Sequence, residues 1–276
     1  MRDGGSTMDE LNRLMGMEDS LERARALYER VFTREDERLS GSLWLERMTT
    51  LHVLGQALRP GSRVMDLGCG TGVYALPLAK AGHSVLAVDL VPHHVETLKS
   101  KAEPGMALKA LCRDAQSAAD AQKDASFDAV LCLGPMYHLR ARAERLRLLS
   151  SCRRLLRPGG QMFVSFINND WVIASMTLTG EDASYILEGD YDKSTFRCDD
   201  FPFVFHTLDQ ADEELQAAGL VITRRINADG LNEIAEEKFS AFTQNQRAAW
   251  FNYHLYLCEQ PQHLGACNHW LYVCKT

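Results

Sequence analysis

Val64-Met65-Asp66-Leu67-Gly68-Cys69-Gly70-Thr71-Gly72 runs an apolar strand directly into a glycine-rich turn, and Val73 to Ala81 then take up helical spacing. Glycines allow a tight turn and let backbone amides approach a ligand closely. A nucleotide-like ligand is therefore expected at the carboxyl end of a first strand. The dinucleotide fingerprint spaces its glycines G-x-G-x-x-G and seats a pyrophosphate at the helix start. Here the spacing is G-x-G-x-G, with Val73 next. Asp66, two residues before Gly68, would repel a pyrophosphate but suits a ligand bearing an ammonium and a sulfonium.

S-adenosylmethionine meets that description, and two more acids agree with it. Asp89 closes the run Val85–Leu90 at the distance where an acidic side chain accepts from ribose hydroxyls. Asp114 closes Ala107–Cys112, where a carboxylate can accept from the adenine amine. Each acid alone reads equally well as a turn residue or helix N-cap. Three in register with the glycine loop make a site.

Outward from the loop, strands and helices alternate. Helices are predicted over Pro92–Lys101, Ala115–Ala121 and Arg140–Leu156, and strands over Phe127–Gly134 and Gly160–Ile167. Such alternation predicts a mostly parallel sheet with right-handed crossovers. Upstream, apolar residues recur at helical spacing from Leu11 to Phe32 and from Leu43 to Leu58, predicting two N-terminal helices. Downstream, Leu208–Ala218 reads as a helix, with Leu220–Ile226 and Trp270–Cys274 as strands. The division expected is 1–60, N-terminal helices over the cofactor site; 61–168, first part of the core; 169–206, a cap insertion; 207–230, core helix and strand; 231–268, a second insertion; and 269–276, the last core strand.

The segments DLGCGTG, VLAVDL, CRDA, FDAVLCLG and LLRPGG, spread over Arg63 to Ile167, together resemble the successive motifs of the class I S-adenosylmethionine-dependent methyltransferases. Gly134-Pro135-Met136-Tyr137-His138-Leu139 further resembles the GPxYHL segment of a bacterial, small-molecule-type group among them. The resemblance implies an α/β, doubly wound, seven-stranded sheet of order 3-2-1-4-5-7-6 with the last strand antiparallel. It also implies S-adenosylmethionine as cofactor and S-adenosylhomocysteine as product. Asp66 would hold the methionyl end, Asp89 the ribose and Asp114 the adenine amine, with Ala115 and Gln116 offering backbone contacts. Tyr28, Gly68, Cys69, Gly70, Leu90 and Leu133 complete the expected cofactor set.

Methyl transfer from a sulfonium is an in-line displacement, so alignment and exclusion of water dominate. A base is needed only for a protonated nucleophile. Tyr137 and His138, at the end of the fourth strand, are the expected catalytic pair: His138 as base toward a hydroxyl or amine, Tyr137 to orient the acceptor or cover the cofactor. The alternative is that His138 caps a turn and Tyr137 packs under a lid. Trp44 to Arg47 are candidates for the pocket floor, and Asn168, Trp171 and His206 for acceptor recognition.

Composition narrows the function further. A formal net charge of -7 disfavours a nucleic-acid partner, which a basic patch would grip. Arg140 to Arg157 is locally basic and reads as a solvated helix face with i,i+4 pairs. Eight cysteines lie scattered without a C-x-x-C pair, and His254, Cys258, His263, Cys267, His269 and Cys274 match no compact zinc spacing, so reduced thiols and no metal are expected. A polar start without a signal-peptide pattern, and no apolar run of about 18 residues, predict a cytoplasmic protein off the membrane. The oligomeric state stays open. The function expected is methyl transfer to an oxygen or nitrogen of a small-molecule metabolite. RNA methylation, or a non-catalytic S-adenosylmethionine-binding regulatory module, are the alternatives.

Overall fold

The computed structural model describes residues 4–32, 43–180 and 183–276. Residues 1–3 and 33–42 of the expected N-terminal unit, and 181–182 of the expected cap, lie outside the described residues.

Strand formation follows the burial of β-branched and apolar side chains on both sheet faces. The strands are β1 (Arg63–Leu67), β2 (Ser84–Asp89), β3 (Leu108–Cys112), β4 (Phe127–Cys132), β5 (Leu156–Asn168), β6 (Phe205–His206), β7 (Val221–Asn227) and β8 (His269–Lys275). Neighbouring residues on a strand face opposite sides. Met65, Val130, Met162 and Tyr272 accordingly enter one buried cluster. Val64, Ala129, Phe163 and Val273 enter the other.

The sheet runs β3-β2-β1-β4-β5-β8-β7. This is the expected order once one extra strand is counted: the sheet has eight strands, because β6, a two-residue piece at the end of the cap segment, pairs with β5. Two residues carry too little period to be seen in a sequence. β8 is antiparallel to both neighbours, and its first residue, His269, pairs with Ile167 near the carboxyl end of β5. That reversal brings the start of β8 to the edge where the parallel strands end.

Several boundaries differ from expectation for local reasons. The apolar series Leu11–Phe32 forms two helices, Gly4–Met15 and Ser20–Arg30, followed by Trp44–Ala57, so the N-terminal unit holds three described helices. The break falls at Asp19, whose carboxylate accepts from the amides of Leu21 and Glu22 at 2.8 and 2.9 Å and so starts a new helix. The basic helix Arg142–Leu155 is less solvated than expected. Arg145 is 7% exposed and donates to Glu214 of the helix Leu208–Ala217 from two nitrogens, Nε at 2.8 and 3.1 Å and Nη2 at 2.6 Å. Arg147 and Arg157 pair with Asp120 and Asp128. Cross-element pairs replace the i,i+4 pairs because the acids lie on neighbouring elements.

The N-terminal helices and the cap meet. Phe203, in the cap segment, packs against the cluster of Leu14, Ala26 and Leu27 and also against that of Ile167, Ile173 and Tyr191.

Candidate active site

Turn geometry at the carboxyl ends of β1, β2 and β4 shapes one cavity of about 1190 Å³, counted to its open mouth. Gly68 has φ +74°, and a Cβ there would come within 2.9 Å of the Pro135 ring. Only glycine lets the loop after β1 lie against the loop after β4. Gly68, Cys69, Gly70, Asp89, Leu90, Asp114, Ala115, Gln116 and Leu133 all line this cavity.

Asp89 is locked in place. Its Oδ2 accepts from the Gly70 amide at 2.8 Å, and its Oδ1 accepts from the Val91 amide at 2.9 Å and lies 3.2 Å from His94 Nδ1. A carboxylate has about four acceptor positions, so capacity remains toward the cavity. Asp114 caps the helix Ala115–Asp120 through the Ser117 amide at 2.8 Å and also faces the cavity.

Asp66 sits behind the loop at 1% exposure and is not among the lining residues. Its Oδ2 has no hydrogen-bond partner among the described residues. Burial, and then the Asp89 charge, push its carboxyl up to about 7. Burying a carboxylate without a partner is costly, and a cationic group nearby offsets that cost. The same burial, with Asp66 and Asp89 nearby, pushes the Cys69 thiol up, leaving it inert.

The roof comes from the helix Ser20–Arg30 and the turn after β4. The Tyr28 hydroxyl is 3.1 Å from His138 Nε2, and Arg23 Nη2 donates to the His138 carbonyl at 3.1 Å. Tyr137 donates its hydroxyl to the Leu133 carbonyl at 3.0 Å, and its ring packs edge-on to Phe203. Tyr28, Tyr137 and His138 all line the cavity. Of the expected floor, Glu46 does so, while Trp44, Leu45 and Arg47 do not.

The three residues expected to recognise the acceptor lie elsewhere. Asn168 donates to the carbonyls of Gly265 and Cys267 and caps the helix Asn169–Thr179. His206 is buried against Phe166 and Glu214. Trp171 donates to Glu233 at 3.0 Å. None of the three lines the cavity.

The sequence weighs His269 only as a zinc ligand and does not single out Asp229. His269 lines the cavity, and its Nδ1 is 2.8 Å from Oδ2 of buried Asp229. Together with Glu46 they form the one group among the described residues whose three possible ligand atoms lie within 4.8 Å of one another. Ala228-Asp229-Gly230 reads only as a turn after β7, although an acid at a strand's carboxyl end is the signal that singled out Asp89.

Residues 64–160 match the family model described as a methyltransferase domain. By that match those residues are a methyltransferase domain. Sequence relatives of the chain include the ubiquinone biosynthesis O-methyltransferase of Xanthomonas campestris pv. campestris, 31% identical over 136 residues, which cover 49% of this chain and 54% of the relative. The protein of the same name from Cereibacter sphaeroides is 32% identical over 139 residues, covering 49% and 54%. The chain thus spans about half the length of these relatives. Among solved structures, magnesium protoporphyrin IX methyltransferase of Synechocystis with bound S-adenosylhomocysteine superposes with a TM-score of 0.57 at 17% identity, covering 94% of this chain and 100% of that one. A possible histamine N-methyltransferase of Thermotoga maritima gives 0.57 at 14% identity, covering 91% and 98%. At these identities the structures establish the methyltransferase fold alone. The methyltransferase domain thus contributes the loop, the acids and the turn carrying Tyr137, and residues outside 64–160 supply Tyr28, Glu46 and His269.

Proposed function

We propose that this protein transfers a methyl group from S-adenosylmethionine to an oxygen or nitrogen of a small molecule. The observation that carries the reading is Asp66, a carboxyl buried behind the glycine loop with one oxygen unpartnered and its pKa raised to about 7. A cationic ligand in the adjoining cavity would favour the ionised form of this carboxyl through the loop, whereas a pyrophosphate would add repulsion. Asp89 would hold the ribose and Asp114 the adenine amine, both on the cavity wall. Bound S-adenosylmethionine supplies an electrophilic methyl on a positively charged sulfur.

The chain's own residues then align and dry the acceptor. Tyr28 and His138 close the roof, and Tyr137 braces it from the end of β4. His138 is a candidate for moving a proton at Nε2. The two relatives named as O-methyltransferases favour an oxygen acceptor. Incubating cell extract and purified protein with S-adenosylmethionine labelled in its methyl group, followed by mass spectrometry, should reveal one small labelled product. Binding of the cofactor with no S-adenosylhomocysteine formed from any extract would overturn the reading.

A further inference from the structure

Resting on that methyl-transfer reading, we propose that His269, oriented by Asp229, is the general base for a hydroxyl acceptor, so that the acceptor is a phenol or comparably acidic alcohol that arrives protonated.

His269 opens β8 and reaches the cavity because that strand runs against the others. Its Nδ1 lies 2.8 Å from Asp229 Oδ2. Asp229 itself is fixed by backbone amides, with Oδ1 accepting from Asn268 at 3.0 Å and from His269 at 3.2 Å. A carboxylate can only accept, so Nδ1 carries the hydrogen, and the basic lone pair of the neutral ring is on Nε2. A buried acid behind an imidazole fixes the tautomer and stabilises the imidazolium that forms.

The charges around the ring act in the same direction. Glu46 Oε2, from the helix Trp44–Ala57, is 3.8 Å from Nδ1. Glu233 also faces this group, held by Trp171 at 3.0 Å, and burial, then the Asp229 charge, raise its carboxyl. The Tyr137 ring stands 6.3 Å from the imidazole. Burial lowers His254, which also feels the Asp229 charge, to about 4, so it is neutral. The other imidazole on the cavity wall, His138, has its Nε2 3.1 Å from the Tyr28 hydroxyl in the roof.

A phenol with a pKa near about 10 is almost wholly protonated at neutral pH, and its oxygen is then a weak nucleophile. A neutral amine already has its lone pair and does not need a base before attack. In the step, the acceptor oxygen bonds to the methyl carbon as the carbon–sulfur bond breaks. That bond's electron pair stays on sulfur, giving the neutral thioether of S-adenosylhomocysteine. The hydroxyl proton passes to His269 Nε2 and then to water.

Calorimetry with S-adenosylmethionine comes first, since absence of binding would sink the methyl-transfer reading itself. With binding intact, two readouts decide the inference alone. Nitrogen-15 NMR of the histidines in the S-adenosylhomocysteine complex should show His269 hydrogen-bearing at Nδ1 and titrating at Nε2, with the titration moved to lower pH in Asp229→Asn. A ring hydrogen-bearing at Nε2, or the same titration in Asp229→Asn, would overturn it. Methylation of para-cresol and para-nitrophenol is the second readout. His269→Gln should lower kcat on para-cresol by about 10²- to 10⁴-fold and far less on para-nitrophenol, which is already about half ionised at neutral pH. Asp229→Asn should lower kcat with little change in KM. Equal losses on both phenols, methylation of neither by the unaltered protein, or activity abolished by a chelator and restored by a divalent cation would each overturn the proposal.

Discussion

Beside the glycine loop, Asp66 is a buried carboxyl with an unpartnered oxygen, while Asp89 is held by the Gly70 and Val91 amides. Because Asp66 sits near about 7 in the free protein, it is partly protonated at neutral pH, and pairing with an ammonium favours the ionised form. Affinity for S-adenosylmethionine should therefore fall as pH drops through 7, with a proton released on binding below that point. Calorimetry in buffers of different ionisation enthalpy measures that release, and Asp66→Asn should abolish it. A pH-independent affinity in the unaltered protein would argue against the pairing. Asp89→Ala removes an acceptor that also ties down the Gly70 and Val91 amides. It should weaken cofactor binding by about 1.5–3 kcal/mol, the range for a charged hydrogen bond; unchanged calorimetric affinity would remove the ribose role.

At the scale of elements, the helix Arg142–Leu155 is fastened to Leu208–Ala217 by Arg145 and Glu214. Burial works to raise the Glu214 carboxyl, but the Arg145 bonds, with His206 behind them, outweigh it and bring it down to about 2. A folded pKa below the ordinary carboxylate value stabilises the fold above that value, and the contribution disappears as pH falls toward the folded one. This pair should hold fully above pH 4.5 and fade down to about 2. Arg145→Met leaves the buried carboxyl with only the longer contacts to His206 and Arg142 and should cost about 3–5 kcal/mol at neutral pH. Urea denaturation at pH 7 and at pH 3 checks both: the variant should lack the acid-side loss that Glu214 gives the parent. The regular elements were largely legible, since β1, β2, β4 and the helix after Leu208 follow period and caps. The split at Asp19 and the two-residue β6 were not, because a cap can interrupt an apolar series without changing its spacing.

Across the whole molecule, the cavity is assembled from pieces far apart in the chain: Tyr28 from an N-terminal helix, Asp89 and Tyr137 from the core, and His269 from the last strand. Unfolding any of these regions should release the ligand, so binding should stabilise the chain as a unit. S-adenosylhomocysteine at about one hundred times its Kd should add about 2.7 kcal/mol. Calorimetric melting should show one transition moving upward with ligand concentration. A ligand-independent lower transition would mean that some of these pieces fold apart from the site. No helix among the described residues is long and apolar enough to cross a membrane. The sequence by itself determined the alternation of strands and helices, the glycine loop and the acids beside it, because these depend on local period and on short motifs, while the sheet order came only from the family that those motifs resemble. Only the tertiary structure decided which distant side chains share the cavity. Asn168, Trp171 and His206 went to structural partners, and Asp229 met His269, because a strand's direction sets which of its ends reaches the site.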